Sequence, residues 1–115
     1  MKRGTIILTP FPFTDLTKNK VRPALVVSSN KRNDNDVIIA FISSVLDSIN
    51  LKETDILLDS KETSFKETGL KSTSIIRTDK LATIDKKIIL GELGNINSDL
   101  KRKVDKYLML VLDLN

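Results

Sequence analysis

The sequence predicts a mainly β (α+β) fold, a small all-β barrel followed by one C-terminal helix. Short apolar runs rich in Ile, Leu and Val are separated by turn signals about every ten residues, as in barrels of short strands. From Ser98 onward the apolar spacing changes to a helical period. At 115 residues and 40% hydrophobic, the chain fits a single domain, 1–115, with one core.

Strands are expected at 4–9 (GTIILT), 23–29 (PALVVSS), 36–43 (DVIIAFIS), 53–58 (ETDILL), 72–77 (STSIIR) and 86–91 (KKIILG). Ala24 to Val27 is a continuous apolar run that reads as a strand buried on both faces. Pro23, which cannot donate to a ladder, marks its start. The segment 30–35 (NKRNDN) is a turn that joins the second and third strands into a hairpin. Segment 44–70 is rich in Ser and Thr, with Gly69 marking a turn and a short helix allowed at 44–50. In the C-terminal helix Leu100, Val104, Leu108, Val111 and Leu114 form an apolar stripe, opposite Lys101, Arg102, Lys103 and Lys106. Asn97 or Ser98 is available as its N-cap, and Asp99 in the first turn suits the macrodipole.

Composition narrows the chemistry. With no Cys and no His, the chain lacks thiol nucleophiles, disulfides, the usual general base and the commonest metal ligand. The fifteen acids are scattered singly, so neither a metal nor another cofactor is expected. Apolar runs reach about five residues and the N-terminus MKRG has no hydrophobic signal region, so a cytoplasmic protein without a membrane anchor is expected. Net charge is +4, but residues 1–35 carry seven Lys/Arg against two Asp. Lys18, Lys20, Arg22, Lys31 and Arg32 form a patch suited to phosphates or an acidic peptide, or merely solvate loops.

The polar loop before Pro23 delivers Arg22 to the mouth of a buried strand, where a rigid core holds a loop-borne side chain in place. A site of this composition suits a substrate that supplies its own nucleophile. RNA does so, because its 2′-hydroxyl attacks the neighbouring phosphate while an arginine fork holds the oxygens on which charge builds. Ser43 and Ser44 after IIAFI, and Arg77 with Asp79 in IIRTD, stand at strand ends beside Arg22 as candidates for hydrogen bonding and proton transfer. Each also has an ordinary explanation: a surface salt bridge for Arg22, a turn cap for the serines, and for Arg77 with Asp79 a local ion pair worth under about 1 kcal/mol. Phe11 and Phe13 are expected to plug one end of the barrel.

The order and spacing of several segments resemble the MazF/PemK/Kid toxins of bacterial toxin-antitoxin pairs. RGTIIL is similar to the family's opening strand, VRPALVVSS to its RP(V/A)LV motif, and IIAFISS to its V(A/P)(I/V)TS segment. TGL, SIIRTDKLATIDKK and LGNINSDLKRKVDKYL are similar to its later strands and final helix. The resemblance implies an SH3-like β-barrel of about five to seven strands, usually a homodimer, that cleaves single-stranded RNA without metal and is held in check by an acidic antitoxin. It further implies that Arg22 acts on the scissile phosphate, that Ser43 stands where the family usually has a catalytic Thr, and that Arg77 and Asp79 match the Kid branch's acid and base. Thr14, Lys18, Lys20, Ser44 and Lys31 are the expected RNA contacts.

Two departures stand out. The first loop, TDLTKNK, is short and has no counterpart to the Kid branch histidine, whose role falls to Lys18, Lys20, Thr14 or to no residue. Serine in place of threonine keeps the hydroxyl but loosens its rotamer. An arginine holds its proton too tightly to be a good acid, so Arg22 is assigned to charge stabilisation, and Asp79 is the better candidate if the site uses a base. The alternatives are a gyrase poison resembling CcdB, against which the absence of Trp counts, and a silent RNA- or peptide-binding barrel.

Overall fold

The computed structural model describes residues 1–10, 20–45 and 50–114. Six strands form one antiparallel sheet: β1 (Thr5–Pro10), β2 (Val21–Val26), β3 (Asp36–Ser44), β4 (Asp55–Leu58), β5 (Ser74–Asp85) and β6 (Gly91–Asn95). Their order is β4-β5-β3-β2-β1-β6, so the sheet is a curled half-barrel with β4 and β6 at its edges. Among the described residues one α-helix, α1 (Ser98–Val111), follows the sheet, and two 3-10 turns lie at Thr63–Thr68 and Lys86–Ile88. No helix among the described residues is long and apolar enough to cross a membrane.

Strand alternation sorts the apolar residues into two clusters. Ile6, Leu25, Ala40, Ile42, Ile56 and Ile76 face one way, and α1 covers them with Leu100, Val104, Tyr107 and Leu108. Ile7, Ala24, Val26, Ile39, Phe41 and Ile84 form the second cluster on the other face. Ala24, Leu25 and Val26 are all buried, which is why this strand reads as an unbroken apolar run. The helix begins as expected: the Asn97 side chain accepts from Leu100 N at 2.9 Å. It ends at Val111, so Leu114 lies beyond the helix, 57% exposed, and does not belong to the buried stripe.

Several boundaries differ from the sequence expectation, among them the end of β2, at Val26 rather than 29, and the start of β4, at Asp55 rather than 53. β2 starts at Val21, two residues before Pro23, because Val21 and Arg22 still pair with Pro10 and Thr9 of β1. Pro23 costs little there, since the ladder to β3 begins only at Ala24↔Phe41. β5 runs to Asp85, far past the expected end at 77, because β3 continues to pair with it as far as Asp36↔Asp85. The expected sixth strand at 86–91 is instead a 3-10 turn capped by Asp85, whose side chain accepts from Lys87 N, and β6 starts at Gly91. The helix allowed at 44–50 falls mostly outside the described residues, although Ser44 itself is in β3.

Among the described residues, a 3-10 turn bridges the two sheet edges. The 3-10 turn Thr63–Thr68 follows β4 and packs on β6, closely enough that a Cβ on Gly94 would lie 2.1 Å from Glu67 O. Gly69 then turns the chain with φ +71°, a left-handed conformation that favours glycine. A Cβ there would lie 2.0 Å from Leu93 O. Gly69→Ala should therefore lower unfolding stability by about 2–4 kcal/mol, through backbone strain and a clash with backbone atoms, as measured by urea denaturation.

Candidate active site

The site is built where β2 begins and β3 ends. Carrying the β2–β3 register beyond Ala24↔Phe41 sets Arg22 opposite Ser43, on the face that bears Ala24 and Phe41. Phe41 pairs in turn with Arg77 of β5, and Arg77 with Asp55 of β4. One face of four adjacent strands thus carries Arg22, Ser43, Arg77 and Asp55 close together.

Hydrogen bonds connect three of these residues. Arg77 donates from Nε to Ser43 Oγ at 3.2 Å and from Nη1 to Asp55 Oδ2 at 3.1 Å. The Asp55 side chain is 0% exposed while that of Arg77 is 25% exposed, so the acid anchors the guanidinium from within. Asp55 Oδ2 also accepts from Lys52 N at 2.9 Å, and its buried Oδ1 has no hydrogen-bond partner among the described residues. A carboxylate taken out of water needs a counter-charge and donors, and the guanidinium supplies both.

The consequence for Ser43 is chemical. Arginine has no acceptor, so Ser43 Oγ receives the Arg77 bond on a lone pair and its own O–H is directed elsewhere. A serine whose rotamer the sequence leaves loose is therefore held by Arg77, with its proton available to a substrate oxygen.

Asp79 stands differently from its expected partner. The β3–β5 register shifts between Ala40↔Leu81 and Phe41↔Arg77, leaving Thr78, Asp79 and Lys80 of β5 without β3 partners. Thr78 turns inward and donates to Thr54 O at 2.6 Å, whereas Asp79 and Lys80 face solvent. Asp79 pairs with Lys52 at 3.7 Å, both partly exposed, an interaction of little stabilising value. Arg77 and Asp79 are thus not the local ion pair that adjacency suggests, because Asp55 takes the guanidinium.

The expected RNA contacts are scattered. Ser44 follows Ser43 and pairs with Ser74 on the opposite face of the sheet. Lys20 is exposed directly before β2. Lys31 lies in the β2–β3 connection, at the far end of β2 from Arg22, where its N–H donates to Ser29 Oγ at 3.0 Å. Its neighbour Arg32 is engaged by Asp34 at 3.0 Å and Asp36 at 2.7 Å, and the hydrogen bond to Asp34 raises its pKa above the usual arginine value. Lys31 and Arg32 therefore do not form one patch with Arg22. Thr14, Lys18, Phe11 and Phe13 lie outside the described residues.

Asp55 is the residue that the sequence did not single out. Its only signal was an acid opening the apolar run DILL, and its role depends on a register with β5 that no local pattern specifies. Among the described residues no group of three or more His, Cys, Asp or Glu is placed to hold a metal.

Comparison with known proteins places this geometry. Residues 2–112 match a family model described as PemK-like, MazF-like toxin of type II toxin-antitoxin system. No curated protein matches the chain. Among solved structures, an endoribonuclease in complex with its cognate antitoxin from a mycobacterial species is similar at TM-score 0.74 and 19% identity, covering 100% of this chain and 97% of the other. Mycobacterium tuberculosis toxin MazF-mt6 is similar at TM-score 0.73 and 17% identity, over 96% and 98% of the two chains. MazE-MazF from Deinococcus radiodurans is similar at 0.68 and 16%, over 99% and 95%.

If the buried acid and guanidinium depend on each other, Arg77→Met should cost about 3–5 kcal/mol by stranding Asp55. Adding Asp55→Leu should restore most of that loss, measured as a double-mutant cycle in urea. Additive losses would refute the coupling.

Proposed function

This chain belongs to the PemK-like, MazF-like toxins of type II toxin-antitoxin systems, and on that premise we propose that it is a metal-independent endoribonuclease. Its substrate is single-stranded RNA, mRNA above all, and its action stops translation and growth. The observation that supports this reading best is the Arg77 bond to Ser43 at 3.2 Å, with Arg22 opposite Ser43 where the β2–β3 register is continued past Ala24↔Phe41. Together they supply two guanidinium groups and one directed hydroxyl at a single point of the sheet.

In the proposed reaction the ribose 2′-oxygen attacks the adjacent phosphorus. The 2′-O–P bond forms and the P–O5′ bond breaks, leaving a 2′,3′-cyclic phosphate and a 5′-hydroxyl. The 2′-OH proton passes to the Asp79 carboxylate, which is partly exposed, whereas Asp55 is sealed behind Arg77. The departing 5′-oxygen takes its proton from solvent. Arg22 and Arg77 hold the non-bridging oxygens, and Ser43 O–H donates to one of them as charge develops.

Lys20, with Thr14 and Lys18 of the preceding segment, holds flanking phosphates. The neighbours described as MazE-MazF, or as a toxin with its cognate antitoxin, support an antitoxin partner for this chain as well. An acidic, partly disordered antitoxin segment would compete with RNA for Arg22 and the neighbouring lysines. A homodimer in the cytoplasm fits the same reading, with two copies of the basic loop framing one groove.

Incubation with a long single-stranded RNA in EDTA should give discrete fragments ending in 2′,3′-cyclic phosphate. Arg22→Ala should lower the rate by about 10²–10³-fold, as for loss of one transition-state donor. Ser43→Ala should lower it less, and a 2′-deoxynucleotide at the mapped cut should block it. Intact RNA with the wild-type protein, or cutting through the deoxynucleotide, would refute the proposal.

A further inference from the structure

On the other face of the sheet, a cleft of about 250 Å³ opens beside Ser44. Leu8, Ile42, Leu70 and Leu93 give it an apolar lining, Lys71 brings positive charge, and Arg22, at the start of β2, borders it although its position in the strand belongs to the Ser43 face. Among the described residues that line it there is no carboxylate. Its volume is below the roughly 300–1,000 Å³ of sites for drug-sized ligands, so it suits one nucleobase rather than a longer segment.

The wall of the cleft is built in advance of any ligand. Thr68 Oγ1 donates to Phe65 O at 2.6 Å and accepts from Leu70 N at 3.1 Å. Gly69 packs on the Leu93 backbone, and Ser74 Oγ donates to Ser72 O at 2.8 Å. The segment carrying Leu70, Lys71 and Ser72 is thereby held in one shape, which lowers the entropy lost on binding. Ser44 and Ser72 are both exposed there, and each hydroxyl can donate as well as accept.

We propose that this cleft takes the base of the nucleotide next to the cut, with Ser44 and Ser72 reading its edge and Lys71 holding its phosphate. The inference rests on the ribonuclease reading above. Arg22 supplies the connection, because it borders the cleft and also stands opposite Ser43 where the β2–β3 register is continued. A base seated beside Arg22 leaves its neighbouring phosphodiester at the Ser43 side of the same strand ends. No aromatic ring is among the described lining residues, so recognition proceeds by edge hydrogen bonds between apolar side chains rather than by stacking.

Two measurements test this on the wild type, Lys71→Ala and Ser72→Ala. In ¹H–¹⁵N spectra titrated with each of the four 5′-nucleoside monophosphates, shifts should concentrate at Leu70–Ser74 and Ser44, with unequal affinities for the four. Lys71→Ala should weaken binding about two- to fivefold, the scale of an exposed ion pair. Ser72→Ala should shrink the preference between bases by about fivefold, the value of one hydrogen bond. In maps of cleaved RNA, Ser72→Ala should relax the base preference at one position adjoining the cut while cutting persists. Cleaved RNA with unchanged preference in both variants, or equal shifts with inorganic phosphate alone, would overturn the cleft proposal only. Uncut RNA with the wild type would overturn the ribonuclease reading and, with it, the place of this cleft in cleavage.

Discussion

The long antiparallel pairing of β3 with β5 organises the rest of the molecule. β5 pairs with β3 along two stretches whose registers differ, and Thr78, Asp79 and Lys80 occupy the shift between them. Extra residues in one strand bend it and increase its twist. The first stretch brings Arg77 beside Phe41 and next to β4, and the second carries the strand on to Asp85. Without the shift, the residues between Arg77 and Leu81 would continue the same ladder with β3.

The bent sheet must then be closed, and among the described residues a 3-10 turn and a helix do so. The 3-10 turn after β4 packs against β6, and the backbones approach so closely that Gly94 and Gly69 have no room for a side chain. Helix α1 seals the remaining side through Leu100, Val104, Tyr107 and Leu108. A single closing segment thus serves the core and the cleft, since the turn at Gly69 also fixes Leu70–Ser72. Packing and the shape of the proposed base site have one cause.

The polar row across β2, β3, β5 and β4 shows how a site is held with few residue types. Asp55 is buried where only a cation satisfies it, and Arg77 is the cation that its register supplies. The same guanidinium reaches Ser43, so the burial of one acid fixes the orientation of a hydroxyl on another strand. Planar, multiply donating arginine can serve two partners at once, where lysine would act as a single point charge. The proposed chemistry needs this order, because it has no His or Cys to draw on and relies on charge, orientation and a nucleophile brought by the RNA.

Much of the fold was legible in the sequence because local patterns carry it. The apolar run at Ala24–Val27, the turn at 30–35, the cap at Asn97 and the stripe through Leu100, Val104 and Leu108 each follow from periodicity or capping chemistry. The prominence of Arg22 beside Pro23 was readable in the same way, whereas the contact of Ser43 with Arg77 was not, since sequence adjacency paired Arg77 with Asp79 instead. The extension of β5 to Asp85, the shift at Thr78–Lys80 and the turn at Lys86–Ile88 were not, since hydrogen bonding to β3 sets them and local propensity does not. Asp55 was invisible for the same reason: in sequence it lies 22 residues from Arg77, and only strand pairing makes them neighbours. Lys31 and Arg32 looked like part of one basic patch because sequence proximity is blind to the length of β2. The sequence by itself determined which residues are apolar, which turn and which carry charge. Tertiary structure alone decided which charges meet, because register and burial are properties of strands brought together from distant parts of the chain.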